Sequence, residues 1–379
     1  MMRDTVSAND VLKKAHSVGQ YYGFVPFSTL AARARGSKPA KAAPNALAGL
    51  ALDPTAEVIA NLLRQCREAG CLPSARAPLF LWHTNITPGR AAPKKAIVQF
   101  HAIGSDRPIA DAVVIRALSA LVRDLFREEP ALRVNSMGDK ETRARYAREL
   151  GNYFKKRAAT LPEECVTCAK RDAIEAAELT IERSCAEDLP APTDHLSDAS
   201  RKRFEDLLEF LEATETPYDL SRDLITRGSA WSDTCFELTV GGQRAAWGSR
   251  YTELTRHFFP GALPATGGIL ELTTEGGMVT PPPSPRLRFS FVHIGDEAKR
   301  LSIRLAEDFR HAHVPLAQDI GLESLTEQLH VAERRSTNYL LVMGRKEALE
   351  SSVIVRNRMT QDESVLPIAG IVDRLKTFA

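Results

Sequence analysis

Three cysteines in the middle of the chain have the residue type, and part of the spacing, that a zinc site needs. Cys165 and Cys168 are separated by two residues, Cys185 follows, and His195 is a further candidate ligand. Thiolate and imidazole groups hold zinc tetrahedrally, and structural sites commonly draw on two closely spaced ligand pairs. The sequence has no second Cys-x-x-Cys. Incidental cysteines are therefore the preferred interpretation, and we expect no metal here.

Four basic residues near the end of the chain are candidates for contacts to RNA. Arg345, Lys346, Arg356 and Arg358 fall at the ends of predicted strands. Basic side chains there could hold the phosphates of a single-stranded loop, while the alternative is that they are simply solvated. Lys and Arg number 50 against 48 Asp and Glu. This near-neutrality means that any RNA site must be a local patch.

The composition is that of an ordinary globular protein with more than one domain. Hydrophobic residues make up 44% of the 379 residues and charged residues 26%. Six scattered cysteines do not form a disulfide framework. Neither an apolar signal core nor a run of about 20 apolar residues is visible. We therefore expect a cytoplasmic protein that does not cross a membrane.

The elements that must position these groups can be read from apolar spacing. Two strand-like runs at 79–82 and 96–101 flank a basic loop and predict an antiparallel hairpin. The 3.6-residue period predicts a long helix at 106–126. Residues 30–50 are rich in Ala, Pro, Lys and Arg, which indicates a flexible linker or loop. Residues 155–215 are interpreted as a helical insertion.

A proline run marks the clearest domain boundary. Residues 281–285 read Pro-Pro-Pro-Ser-Pro, a sequence that acts as a stiff, extended connector. The core is therefore assigned to 1–280 and a second domain to 286–379. In that second domain strands alternate with helices, and the strand at 339–343 is apolar throughout. This pattern predicts a small α/β domain with a parallel or mixed sheet.

Several stretches, taken in order, resemble the histidyl-tRNA synthetases, a family of class II aminoacyl-tRNA synthetases. The resemblance covers nearly the whole chain and includes a C-terminal part similar to that family's anticodon-binding domain. The stretches are Val134-Asn135-Ser136-Met137-Gly138-Asp139, Gln99-Phe100-His101-Ala102-Ile103-Gly104, Thr234-Cys235-Phe236-Glu237, Gly248-Ser249-Arg250-Tyr251, Pro264-Ala265-Thr266-Gly267 and Leu341-Val342-Met343-Gly344.

The resemblance implies an α+β fold. The core is expected to be a class II synthetase-like antiparallel sheet flanked by helices, followed by an anticodon-binding-like α/β domain. It also implies a pocket for ATP and histidine. Activation of an amino acid depends on positive charge that holds the phosphates in place.

Side chains that the family uses for this chemistry are replaced in this sequence. Asp53 stands for an Arg, and the remaining substituted positions carry residues that cannot replace the expected ligands of ATP or histidine. These positions are Thr55, Trp82, Thr84, Trp231 and Thr274. The cations that remain as pocket candidates are Arg90, Arg227 and Arg250.

The sequence therefore favours a histidyl-tRNA synthetase-like protein that has lost histidine activation and acts as an RNA-binding or regulatory paralogue. A divergent active histidine–tRNA ligase and a structural partner subunit are the alternatives. The expected partners are tRNA or another structured RNA, with a second copy or another subunit as further candidates. No cofactor is expected, and ATP with magnesium is implied only if the chain is an active ligase.

Overall fold

The computed structural model describes residues 6–34, 52–86, 94–226, 228, 230–275 and 287–377. Three features of the sequence interpretation lie outside these residues: Arg90, Arg227 and the proline connector at 281–285. The predicted linker at 30–50 lies outside them from residue 35 onward. Its first residues, 30–34, are helical, so at those positions the linker prediction was wrong. Leu30 packs beside a buried apolar cluster, and this packing orders the segment.

Nine strands of the described residues form one large sheet in the order β2-β3-β4-β9-β8-β7-β5-β6, with β1 paired to β9. The long neighbouring pairs are antiparallel, while β1–β9, β2–β3 and β5–β6 are short parallel pairs. The α+β prediction is confirmed, and the sheet is mixed rather than wholly antiparallel. The strands are β1 Val6–Ser7, β2 Val25–Pro26, β3 Leu79–Ile86, β4 Lys94–Ile103, β5 Ala131–Ser136, β6 Asp219–Leu220, β7 Ser232–Val240, β8 Gln243–Arg250 and β9 Ala265–Glu275.

Helices flank this sheet, and the longest of them, α4, lies against it. Helix α4 packs on β4, β7, β8 and β9 and buries Val113, Ala117 and Leu121 completely. Helices α6, α7 and α8 occupy the region assigned to a helical insertion. The helices are α1 Ala8–Tyr21, α2 Phe27–Ala34, α3 Pro54–Glu68, α4 Pro108–Phe126, α5 Lys140–Lys156, α6 Glu163–Ala169, α7 Ala173–Glu182, α8 Asp198–Ala213 and α9 Thr252–Thr255, with a short 3-10 helix at Pro192–His195.

Polar residues immediately before several helices explain where those helices begin. The side chains of Ser7, Asp53, Asp139 and Ser197 accept hydrogen bonds from backbone N–H groups in the first turn of α1, α3, α5 and α8. Such caps satisfy donors that the helix itself leaves free. None of the described helices combines the length and the apolar character needed to cross a membrane.

The C-terminal part of the chain forms a second sheet of five strands in the order β11-β10-β12-β13-β14. The β10–β11 and β10–β12 pairs are parallel, whereas β12–β13 and β13–β14 are antiparallel. The elements are β10 Phe289–His293, β11 Leu316–Gln318, β12 Tyr339–Met343, β13 Ser352–Asn357, β14 Glu363–Pro367, α10 Asp296–His311, α11 Leu325–Arg334, α12 Arg345–Leu349 and α13 Ile371–Lys376.

A buried carboxylate on α10 joins the two parts of the molecule. Glu307 accepts hydrogen bonds from the Tyr22 hydroxyl at 3.0 Å and from Arg310 Nε at 3.0 Å, and it also pairs with Arg123 of α4. Arg310 in turn donates to Asp124 at 2.5 Å. Burial alone would raise the pKa of Glu307, but the charges of Arg310 and Arg123 outweigh burial and lower it.

We expect Glu307→Gln to destabilise the protein by about 3 kcal/mol, because it leaves two guanidinium groups at the junction without their counter-charge. Asp308→Asn is the matched control, since Asp308 lies next along α10 and is exposed. The measurement is urea unfolding of both variants and the parent, monitored by tryptophan fluorescence. A Glu307→Gln midpoint equal to that of the control would contradict the prediction.

The same network predicts how stability depends on pH. The folded-state pKa of Glu307 lies below its ordinary value of 4.5. Its contribution to stability is therefore complete above pH 4.5 and is lost as the pH falls through the folded-state pKa. The difference in unfolding free energy between the parent and Glu307→Gln should accordingly be constant above that pH and shrink in more acidic buffer.

Candidate functional site

The large sheet has two faces with different surroundings. Successive side chains of a strand point to opposite faces. On β3, Phe80 and Trp82 join the apolar cluster that includes α1 and α4, whereas Leu81 joins a second cluster with Trp231 and Ile269. The second face is the floor of a cleft of about 710 Å³. A volume of this size is typical of a small-molecule site.

Strand register places the residues of the cleft floor in one row across the sheet. His83 pairs with Gln99, Gln99 with Ile269, and Ile269 with Trp247. The row continues from Trp247 through Glu237 to Arg133. The last four of these residues line the cleft. The pairing register of the strands therefore sets how they are arranged on its floor.

The described residues that line the cleft carry more negative than positive charge. Six lining residues are carboxylates and three are basic. The carboxylates are Asp53, Glu178, Glu182, Asp223, Glu237 and Glu271, and the basic residues are Lys95, Arg133 and Arg244. Carboxylates that lie this close together repel an anionic ligand.

Two of the three basic residues are already paired within the cleft. Lys95 Nζ lies 2.8 Å from a carboxylate oxygen of Glu271. Arg133 Nη1 lies 4.0 Å from Glu237, and its Nη2 donates to the Ser221 hydroxyl at 2.5 Å. Arg244 is exposed. The positive charge left for a ligand in the described lining is therefore small.

Two indole rings narrow the cleft beside the start of α3. Trp231 Nε1 donates to Asp53 Oδ2 at 2.6 Å, while Oδ1 of the same carboxylate accepts from the backbone of Thr55 at the helix N-terminus. The rings of Trp231 and Trp247 pack edge to face with centroids 4.8 Å apart. Asp53, Thr55 and Trp231 thus lie together at this end of the cleft.

A buried hydrogen-bonded group extends from the cleft floor into the protein. His101 Nδ1 lies 2.8 Å from the Tyr251 hydroxyl, and its Nε2 lies 3.1 Å from Gln99 Oε1. Burial, together with the nearby His83, lowers the pKa of His101 to about 3. The imidazole is therefore neutral at physiological pH and joins Tyr251 to Gln99 as a hydrogen-bonding bridge.

Three of the substituted positions do not reach the cleft, which corrects the sequence interpretation. Trp82 and Thr84 share a face of β3, and Thr274 shares a face of β9 with Leu270. Trp82 and Leu270 belong to the cluster on the helix-covered side. Because a shift of one residue along a strand moves a side chain to the opposite face, alignment by motif alone could not place these positions.

Arg250 is also on the helix-covered side and is not a pocket cation. Only 1% of its surface is exposed, and its guanidinium donates to Asp111 Oδ2 and to the Ser105 carbonyl, both at 2.8 Å. Asp111 lies on α4 and is completely buried. Arg250 therefore ties the sheet to α4. The other two candidate cations, Arg90 and Arg227, lie outside the described residues.

The cysteine candidates do not form a metal site. Across the described ranges, no group of three or more His, Cys, Asp or Glu side chains could hold a metal ion. Cys185 Sγ donates weakly to the Thr180 carbonyl at 3.4 Å, and Cys165 is buried in an apolar cluster. The ring of His195 lies against Tyr146. Packing and one weak hydrogen bond account for the positions of these residues.

The four basic candidates in the C-terminal part lie at opposite ends of a strand, not in one cluster. Arg345 and Lys346 follow the C-terminal end of β12. Near the beginning of that strand, Arg356 pairs with Leu340, and the backbone N–H of Arg358 donates to the Asn338 carbonyl. The antiparallel β12–β13 pairing causes this separation. Arg356 also forms an ion pair with Glu363.

Sequence reasoning did not identify most of the charged cleft lining. Lys95, Glu237 and Arg244 lie on three different strands, and Glu178 and Glu182 lie on α7. Alternation along β7 was the available signal, because the buried Phe236 and its neighbour Glu237 must point to opposite faces. Using that signal requires knowing which face of the strand is open.

Known proteins are similar to this chain over most of its length. Residues 289–378 match the family described as an anticodon binding domain. The chain is 27% identical over 297 residues to the histidine–tRNA ligase of Geobacillus sp. (strain WCH70), which covers 74% of this chain and 70% of that protein. It is 28% identical over 308 residues to histidine–tRNA ligase 1 of Shouchella clausii, covering 76% and 71%.

Two solved structures are similar at lower identity. Apo histidyl-tRNA synthetase of S. aureus aligns with a TM-score of 0.42 and 20% identity, over 83% of this chain and 80% of that one. An ATP phosphoribosyltransferase regulatory subunit/histidyl-tRNA synthetase from Bacillus halodurans aligns with a TM-score of 0.40 and 16% identity, over 90% and 97%.

We expect Arg250→Leu to lower stability by about 3–5 kcal/mol, because it leaves Asp111 buried without its counter-charge. Arg244→Leu on the same strand is the control, since Arg244 is exposed, and it should change stability little. Adding Asp111→Asn to Arg250→Leu should recover part of the loss. Urea unfolding measures all three, and equal stability of the two single variants would refute the structural role.

Proposed function

We propose that this chain, a class II histidyl-tRNA synthetase-like protein with a C-terminal anticodon-binding domain, no longer activates histidine and works as an RNA-binding protein. The observation that carries the proposal is the charge of the cleft. Its described lining has six carboxylates against three basic side chains. Two of those three are already paired with carboxylates.

ATP does not fit such a lining. A triphosphate is a polyanion, and its transfer chemistry depends on preorganised positive groups that stabilise charge on the phosphate oxygens. Carboxylates within a few ångströms repel it, and desolvation in a cleft strengthens the repulsion. On this proposal the protein needs neither ATP nor magnesium for its role.

The neighbouring side chains support the same conclusion. By the resemblance, Asp53 stands for an arginine and Thr55 for the glutamate that recognises histidine. Trp231, which stands for a tyrosine, holds the Asp53 carboxylate at 2.6 Å. Its indole also packs against Trp247 within the cleft. A shape and hydrogen-bonding pattern suited to histidine are therefore replaced by a carboxylate–indole pair.

The decisive test is histidine-dependent exchange of pyrophosphate into ATP, with the Geobacillus histidine–tRNA ligase as the active control. We expect no exchange above the protein-free background. Each missing charge-stabilising donor costs on the order of 100-fold or more in rate, and several are missing here. Exchange at a rate comparable to that of the control enzyme would overturn the proposal and make the chain a divergent ligase.

RNA binding is tested on the same preparation by titrating tRNA at several salt concentrations. We expect measurable affinity that falls steeply as salt rises, because cationic contacts to phosphates release counterions. Absence of tRNA binding together with absence of exchange would refute the RNA-binding role. The structural-subunit interpretation would then remain.

Charge reversal at the two ends of β12 should locate the RNA interface. Arg345 and Lys346 are exposed, with no ion pair to any described side chain, so Arg345→Glu with Lys346→Glu should weaken tRNA binding. The slope of log affinity against log salt should become shallower by about 0.7–0.9 for each cation–phosphate pair removed. The matched control is Arg356→Glu with Arg358→Glu at the other end. Equal effects of both pairs would contradict this assignment.

A further inference from the structure

A second cavity lies where the two parts of the molecule meet. Its volume is about 520 Å³, within the range of small-molecule sites. The core contributes residues of α1, β2, β3 and α2, and the C-terminal part contributes residue 287, β11 and α11. This cavity is separate from the acidic cleft, because Trp82 lines it from the opposite, helix-covered face of the sheet.

The charge of this cavity is the reverse of that of the cleft. Among the described residues of its lining there are three arginines and neither Asp nor Glu. Arg335 is held by Asp319 at 2.5 and 2.8 Å. Arg33 and Arg334 are exposed and make no ion pair with a described side chain. Two guanidinium groups, one from each part of the molecule, are thus left to face an anion.

Unpartnered polar atoms are concentrated in the same lining. Trp82 Nε1 and Gln20 Nε2 are buried donors, and Gln318 Oε1 is a buried acceptor. None of the three has a hydrogen-bond partner among the described residues. Buried polar atoms in native proteins are nearly always bonded. These three atoms are closed off from solvent and lie behind the cavity wall, so the polar groups that a ligand can reach are the exposed guanidinium groups of Arg33 and Arg334.

Apart from His16 and Thr29, the rest of the described lining is apolar. Val25 and Pro26 of β2 lie on one side, and Leu287, Ala317 and Val331 on the other. A free inorganic ion would leave this surface unused. The complementary ligand has an anionic group for the arginines and an apolar body for these walls.

We propose that this cavity binds a small organic anion, a carboxylate or phosphate monoester with an apolar body, between the core and the anticodon-binding domain. Arginine suits both anions, because its planar fork can donate two parallel hydrogen bonds to their oxygens. The site is independent of the proposed function, since it shares no lining residue with the cleft and contains none of the four candidate RNA-binding residues.

Binding is tested on the full chain with benzoate and phenyl phosphate as the two kinds of anion, measured by calorimetry and by thermal unfolding. Benzamide is the control for shape without charge, and inorganic phosphate is the control for charge without an apolar body. We expect at least one of the two organic anions to bind in the millimolar range and to raise the melting temperature by linkage. Both controls should bind more weakly.

Two double variants test whether the organic anion binds in this cavity. Arg33→Gln with Arg334→Gln should weaken binding of the organic anion by about tenfold or more, as loss of charge-assisted hydrogen bonds does. Lys155→Gln with Lys156→Gln is the matched control, because it removes two exposed cations that line neither cavity and should leave binding unchanged. Both double variants alter exposed side chains, so each should keep the parent's melting temperature without ligand.

Three outcomes would overturn the proposal. The first is failure of both organic anions to bind, and the second is binding of benzamide as tight as that of benzoate. The third is loss of tRNA affinity in Arg33→Gln with Arg334→Gln while anion binding is unchanged, which would make these arginines part of an RNA surface. Because pyrophosphate exchange is not a readout here, failure of this proposal is distinguishable from failure of the proposed function.

Discussion

The alternation of side chains across β3, β4 and β9 is the constraint on which the rest of the molecule depends. One face of these strands is filled by α1 and α4, which bury residues such as Val113 and Phe100 completely. Most side chains on that face pack or are paired internally, as Arg250 is with Asp111, and where the face meets the C-terminal part Trp82 lines the junction cavity. The other face carries the polar groups of the cleft. The two cavities therefore lie on opposite faces of the sheet. Ile269 lines the cleft, and Trp82 lines the junction cavity.

The two cavities differ in charge in a way that separates their chemistry. The cleft is built on strands of the core with carboxylates in excess, while the junction cavity has arginines without carboxylates in its described lining. The junction itself is held by a compact set of ionic hydrogen bonds around Glu307. Breaking the pairing of a buried carboxylate with two guanidinium groups is costly. These contacts hold α10 against the core, and residues of both parts form the lining of the junction cavity.

Periodic apolar sequence predicted the elements well, because burial of one face is a local signal. The hairpin of β3 and β4, helix α4 and the apolar strand β12 were all recognisable in this way. Long-range geometry could not be recognised from the sequence. Trp82 and Thr84 were assigned to the pocket because motif alignment does not fix which face a residue occupies. Arg345 and Arg358 were grouped although antiparallel pairing separates them. Asp111, which pairs with Arg250, and Tyr22 and Arg123, which contact Glu307 from the core, are more than 100 residues away in the sequence, so no local pattern could identify them.

On the proposed function, this separation of faces also explains how the cleft can lose its chemistry while the fold persists. The helix-covered face supplies most of the large apolar cluster, and none of the substituted cleft residues Asp53, Thr55 and Trp231 belongs to it. Asp53 keeps a structural role as the cap of α3, which any short polar side chain able to accept from the helix N-terminus can fill. By the resemblance, an aspartate takes the place of an arginine there, which removes a positive charge and supplies a helix cap. A substitution of this kind at Asp53 keeps the helix cap and costs little stability, whereas the Arg250–Asp111 pair and the Glu307 network cannot be altered in the same way.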